Sequence, residues 1–93
     1  MSDPSLNMYV GRRVVLDTAG PMIYVGDLEA FEERGYWLTE ADVHDRSDGH
    51  STKEEYVSES AELERAGAGR RNRRRVFVER PAVVSVSALD EVI

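Results

Sequence analysis

Apolar and polar positions alternate along most of this chain. Arg13–Asp17 (RVVLD) is β-branched and apolar, the composition of a strand. Thr18–Gly20 (TAG) supplies a hairpin turn. In Met22–Phe31, Met22, Tyr24, Gly26, Leu28 and Ala30 share one face; Ile23, Val25 and Phe31 lie on the other until Gly26 breaks the regularity. A glycine inside a strand marks a bulge or sharp bend, so this strand is expected to curve there and serve two sheets. Glu33–Gly35 (ERG) is a turn, and Tyr36–Val43 (YWLTEADV) is a third strand with Trp37 as its largest buried candidate. Arg73–Val78 and Val83–Ala88 are the last two strands. Only a tight connection fits between them, with Pro81 at the bend because it has no N–H to give to a ladder.

Two segments depart from the period of two. Asp3–Val10 reads as a short helix or turn, capped by Asp3, with Pro4 at its first position and Leu6 sharing a face with Tyr9 or Val10. After the polar stretch His44–His50 (HDRSDGH), Ser51 and Glu54 have capping-box spacing. Tyr56, Ser60 and Leu63 then fall on one helical stripe, as do Val57 and Ala61, and Gly67 and Gly69 end the element. The apolar stripe is weak and the rest strongly acidic, which predicts a helix near residues 52–66 lying on the surface as an insertion. The tail LDEVI predicts no element. The fold class is therefore mostly β: a small, five-stranded, strongly bent barrel with a short N-terminal helix and one inserted helix.

Ninety-three residues predict a single domain over residues 1–93, with 45–71 as the inserted loop and helix. A chain this short is marginal alone and gains from association. It has no cysteine, which excludes disulfides and thiolate metal sites. No apolar run approaches the roughly 20 residues that span a bilayer. The opening MSDPSLNMYV lacks the basic and apolar regions of a secretory signal, so no membrane partner is expected and the expected location is cytoplasmic. The net charge of -6 opposes nonspecific adhesion to nucleic acid, yet the average hides a division. Five of the twelve basic residues lie within Arg70–Arg75, and thirteen of the eighteen acidic residues lie between Asp27 and Glu64.

The strand residues resemble the Sm/LSm family in two regions. The first holds Gly11-Arg12-Arg13-Val14, Gly20, Gly26-Asp27-Leu28, Phe31-Glu32, Leu38 and Ala41, and is similar to the first Sm motif. The second, Val76–Ser87 (VFVERPAVVSVS), looks like the second Sm motif, an apolar strand, a signature pair, two turn residues and an apolar strand. The resemblance covers about half of the chain and implies an Sm-like barrel, with the helix inserted between the third and fourth strands. It further implies a non-enzymatic subunit that closes with copies of itself into a ring of roughly five to eight members, burying open sheet edges. The seam would then run along Val76, Phe77, Val78, Val83, Val84, Ser85, Val86 and Ser87. The alternative is an ordinary hairpin closing a monomeric core. At the positions where uridine-binding members of that family carry an asparagine and an Arg-Gly pair, this chain has Gly35 and Glu79-Arg80. A carboxylate at 79 repels phosphate, which argues against the usual base pocket.

Candidate chemistry is sparse. Arg70, Arg71, Arg73, Arg74 and Arg75, together with Arg80, are candidates for backbone contacts to single-stranded RNA, with Tyr36 as a stacking platform. The same arginines are equally able to answer the acidic helix through Glu54, Glu55, Glu59, Glu62 and Glu64. His44, Asp45, Asp48 and His50 have metal-ligand chemistry but lie in a polar loop without supporting ligands, so no metal is expected. The chain has no phosphate-cradling glycine loop and no nucleophile elbow, and neither enzyme activity nor a cofactor is expected. Together with the Sm/LSm resemblance, which implies the ring, these residues lead to the expectation of a ring protein that binds RNA weakly, or an oligomeric scaffold that recruits a protein through its acidic helix.

Overall fold

The computed structural model describes residues 4–48 and 52–93. The protein is mostly β. Its strands are β1 (Arg13–Thr18), β2 (Met22–Glu32), β3 (Gly35–Asp45), β4 (Arg73–Glu79) and β5 (Val83–Ala88). One α-helix, α1 (Lys53–Arg65), stands between β3 and β4. Short 3-10 turns occupy Pro4–Tyr9, Arg46–Asp48, Arg80–Ala82 and Leu89–Glu91. All pairings are antiparallel, and the sheet order is β4-β3-β2-β1-β5.

That order corrects one expectation. The last two strands are joined by a tight turn at Arg80–Ala82, yet they are not a hairpin. β4 pairs with β3 and β5 pairs with β1, so each ends one side of the sheet and, among the described residues, has one edge unpaired. Pro81 sits in the turn, where its missing N–H costs no ladder bond.

The bend expected at Gly26 is present. The β2–β3 register shifts between Val25 and Asp27 and again between Leu28 and Ala30. A Cβ at Gly26 would lie 3.1 Å from those of Leu38 and Ala41, so glycine lets β3 approach closely there. The bend gives the sheet a core on each side. One core gathers Val14, Leu16, Leu28, Tyr36, Leu38, Ala41 and Val78, with Leu6 and Tyr9 of the first 3-10 turn packed against it. The other holds Val15, Ile23 and Val25 together with Tyr56, Ala61 and Leu89.

This second core changes the reading of three segments. The helix is not a surface appendage: Tyr56, Ser60 and Ala61 are buried. A single aromatic ring supplies most of what its weak stripe lacks. The tail, for which no element was predicted, forms a 3-10 turn that buries Leu89. Trp37 is only partly buried, whereas its neighbour Tyr36 is 8% exposed. Strand alternation sends Tyr36 and Leu38 into the first core and turns Trp37 the other way, against Phe77 and Arg75. The helix is capped by Thr52 with Glu55, one residue later than the Ser51–Glu54 spacing suggests. Ser51, His50 and the Asp3 cap lie outside the described residues.

Gly35 opens β3 opposite Glu79 of β4 and is buried. An added Cβ would fall on the carbonyl oxygen of Val78 and lie 2.8 Å from Cζ of Phe77. Gly35→Ala is expected to destabilise the fold by about 1–3 kcal/mol, the usual cost of overpacking. Urea denaturation would show this as a lower midpoint with an unchanged slope.

Candidate functional site

The acidic helix and the first arginines of the run meet where the chain turns back after α1. Leaving α1, the chain passes Gly67 in a left-handed conformation and turns back to feed β4. Arg70 donates to Glu59 Oε1 at 2.8 Å and to Ser60 Oγ at 3.2 Å, and its guanidinium lies 4.9 Å from the centroid of the Tyr56 ring. Arg71 forks onto both oxygens of Glu64, at 3.3 and 3.0 Å. Arg75 pairs with Glu29 at 2.9 Å and stacks 3.9 Å over Trp37, which in turn packs against Phe77. Arg73 donates to the carbonyl of Asn72 at 2.9 Å. Arg73, Arg74 and Arg80 have no ion pair among the described residues. Arg80 lies on the opposite side of the run, in the β4–β5 turn, where it lines a hollow with Arg34, Glu33 and Glu79. Tyr36 is a core residue. The candidate RNA contacts are therefore not one patch: three arginines are engaged by carboxylates, and the aromatic platform faces inward.

Beneath the arginines lies a buried polar cluster that sequence reasoning missed. The Tyr56 hydroxyl donates to the carboxylate of Asp42, which is 8% exposed on β3. His44 stacks flat on Tyr56, with ring centroids 4.1 Å apart, and the Arg70 guanidinium also lies against that ring. Burial, and then the Asp42 carboxylate, raise the Tyr56 pKa well above the usual phenol value. The hydroxyl thus stays protonated as a donor. Among the described residues, His44 Nε2 is buried without a hydrogen-bond partner. The remaining candidate ligands are dispersed in role: Asp45 accepts from the N–H and hydroxyl of Ser47, and Asp48 is exposed. Among the described residues, no group of three or more metal-ligating side chains converges. The one signal for this cluster was the Tyr56–Ser60 spacing, which places both side chains toward β3.

The seam residues divide between the two unpaired edges. On β4, Val76 and Phe77 are half-buried and Val78 is buried, behind the exposed Arg73, Arg74 and Arg75. On β5, Val83 and Val86 are half-buried while Val84, Ser85 and Ser87 are exposed, Val84 at 62%. β5 carries no charged residue at all. A groove of about 380 Å³ runs beside it, lined by Leu6, Met8, Tyr9 and Tyr36. Charges and prolines are how edges are commonly blocked, so β4 is guarded and β5 is open.

No family model matches the chain, and no curated protein does. Solved structures do. A chain in the crystal structure of the NatC complex bound to CoA is similar over 98% of this chain and 91% of its own length, with 18% identity and a TM-score of 0.58. A chain in the NatC complex bound to Gag peptide and CoA is similar over 87% and 86%, with 18% identity and a TM-score of 0.54. At this identity the similarity shows the fold. It also corrects the functional expectation: the neighbours are chains of a CoA-bound complex, not of a non-enzymatic RNA-binding ring. The self-assembled RNA binder, its variant as an oligomeric scaffold and the placement outside enzyme systems are accordingly set aside. The motif spacing that suggested them reflects strand order and bends, which chains of different function share.

Two outcomes test this site. Tyr56→Phe removes the donor to a buried carboxylate and is expected to cost about 1–3 kcal/mol. Hydrogen exchange should show the loss concentrated in α1, with β1 and β2 little changed. The hydrogen bonds from Arg71, helped by the charge of Arg13, hold the Glu64 carboxyl below the usual carboxylate range. Its folded pKa is thus lower than its unfolded one, near 4.3. The stability it contributes is present above that value and is lost as pH falls through the folded one. Glu64→Gln is expected to cost about 1 kcal/mol at pH 7, since the pair is part-exposed. The gap between the two proteins in thermal melts should close below about pH 4.

Proposed function

We propose that this protein is a small subunit of a multi-chain enzyme assembly that uses CoA, attached to its partner through the open edge of β5. The observation that carries the proposal is the end-to-end correspondence with a chain of such a complex, 98% of one against 91% of the other. The match runs along nearly the whole of both chains. CoA carries acyl groups as thioesters, and a complex that holds CoA beside a peptide has the reactants for acyl transfer. In this reading the chain's contribution is structural. A partner strand would complete the β5 ladder, and apolar side chains at alternate positions would enter the groove beside Met8, Tyr9 and Val84. No helix among the described residues is long and apolar enough to cross a membrane. The proposal places the assembly in the cytoplasm, in keeping with a chain free of cysteine.

Purification of the tagged chain from its native cells tests the reading. The expected result is a stoichiometric complex with a larger chain that acetylates peptide N-termini only when acetyl-CoA is supplied. Val84→Asp should weaken that complex at least about tenfold, equivalent to about 1.4 kcal/mol, and leave the circular dichroism of the free chain unchanged. Recovery of the chain alone, or only with copies of itself, would overturn the proposal. A partner without CoA-dependent activity would do the same.

A further inference from the structure

A second hollow, of about 320 Å³, opens where the start of β1, the second half of α1 and the Leu89–Glu91 turn meet. Its inner wall is apolar: Ala61 is 3% exposed and Leu89 2%. The small side chain at 61 leaves space that a longer one would fill. Charged groups surround the opening, and their states differ. Arg13 and Glu64 are committed to each other at 3.2 Å and to further partners in Asp27 and Arg71. Arg12 pairs with Asp90 at 2.8 Å and Glu91 at 3.5 Å, but those side chains are 76% and 65% exposed, so the pairing is weakly held. Arg65 is exposed and has no ion pair among the described residues. The negative end of α1, which would repel an anion, is muted there. The carbonyls of Glu62, Leu63 and Glu64 accept from the N–H groups of Ala66, Ala68 and Gly67.

We infer that this hollow binds a small amphipathic carboxylate. The apolar body lies against Ala61 and Leu89, and the carboxylate bridges Arg12 and Arg65, displacing Asp90 from Arg12. Guanidinium groups suit this role because their planar N–H pairs match two carboxylate oxygens. The size is appropriate. An apolar cavity of about 150 Å³ accepts benzene, so this one has room for a ring or a medium acyl chain together with its head group. It is at the small end of ligand pockets, which run from about 300 to 1,000 Å³. The site is separate from the β5 edge, and its occupancy does not depend on the proposed assembly.

Amide-resolved NMR titration of the full chain with octanoate, and with octanamide as the uncharged counterpart, tests the inference. Octanoate should give saturable shifts centred on Ala61, Arg65 and Leu89, with octanamide about tenfold weaker. Arg65→Gln, at an exposed position, should reduce octanoate to the affinity of octanamide. Ala61→Leu should abolish the saturable shifts by filling the hollow; if that variant does not fold, Arg12→Gln provides the second test, with a similar loss expected. Absence of saturable shifts with octanoate, equal affinity for the two ligands, or unchanged binding in Arg65→Gln would overturn it.

Discussion

The guanidinium of Arg13 joins parts of the chain that the sheet alone would leave separate. One of its nitrogens donates to Asp27 on β2 at 3.2 Å and to the carbonyl of Glu40 on β3 at 2.8 Å. Another reaches the carbonyl of Arg70, beyond the helix, at 3.3 Å, and Nε lies 3.2 Å from Glu64 on the helix itself. The side chain is only 10% exposed. A buried charge is costly unless it is paired. This planar fork hydrogen-bonds strand, kink and connector through its two terminal nitrogens. Its Nε makes no hydrogen bond among the described residues and faces the Glu64 carboxylate of the helix as an ion pair. A lysine would offer one point of charge and could not span them. The Glu40 carbonyl is within reach because Glu40 takes a positive φ of 49°, unusual for a residue with a side chain. The kink and the arginine explain each other.

Around that joint the sheet is two-sided. Near Gly26 it folds toward Leu38 and Ala41, and strand alternation sends residues adjacent in β1 to opposite cores, Val14 and Leu16 to one and Val15 to the other. The helix is held over the second core less by apolar contact than by Tyr56, whose ring fills space and whose hydroxyl answers Asp42. Replacing such a pair by two apolar groups could be nearly neutral, but losing one member strands the other. The carboxylates that make the helix look solvent-seeking are in part the partners of the following arginines.

Much of the fold was legible in the chain, and what was not has identifiable causes. Strand alternation placed all five strands, and Gly26 marked the bend, because period and glycine act locally. The pairing of the last two strands was not legible. A tight turn constrains where two strands begin and end, and it leaves open whether they bond to each other or to β1 and β3. Trp37 was expected inside on size, but alternation from Tyr36 and Leu38 decides its side. The helix looked superficial because apolar count is a poor guide when one tyrosine does the packing. The arginine run was visible as charge, and its alternative role in answering the acidic helix was open from the start. Which arginines pair depends on the path after Gly67, which sequence does not give. Function was the least legible part, since strand order and bends identify an architecture that serves unrelated tasks.

The position of Trp37 gives the molecule a built-in optical reporter. It is the sole indole of the chain, half-shielded beneath the Arg75 guanidinium and beside Phe77 on the outermost strand. The other edge of the sheet, β5, lies three strands away from the strand that carries it. Its emission therefore reports on the β4 border of the sheet, so a molecule that docks along that border announces itself without an added label.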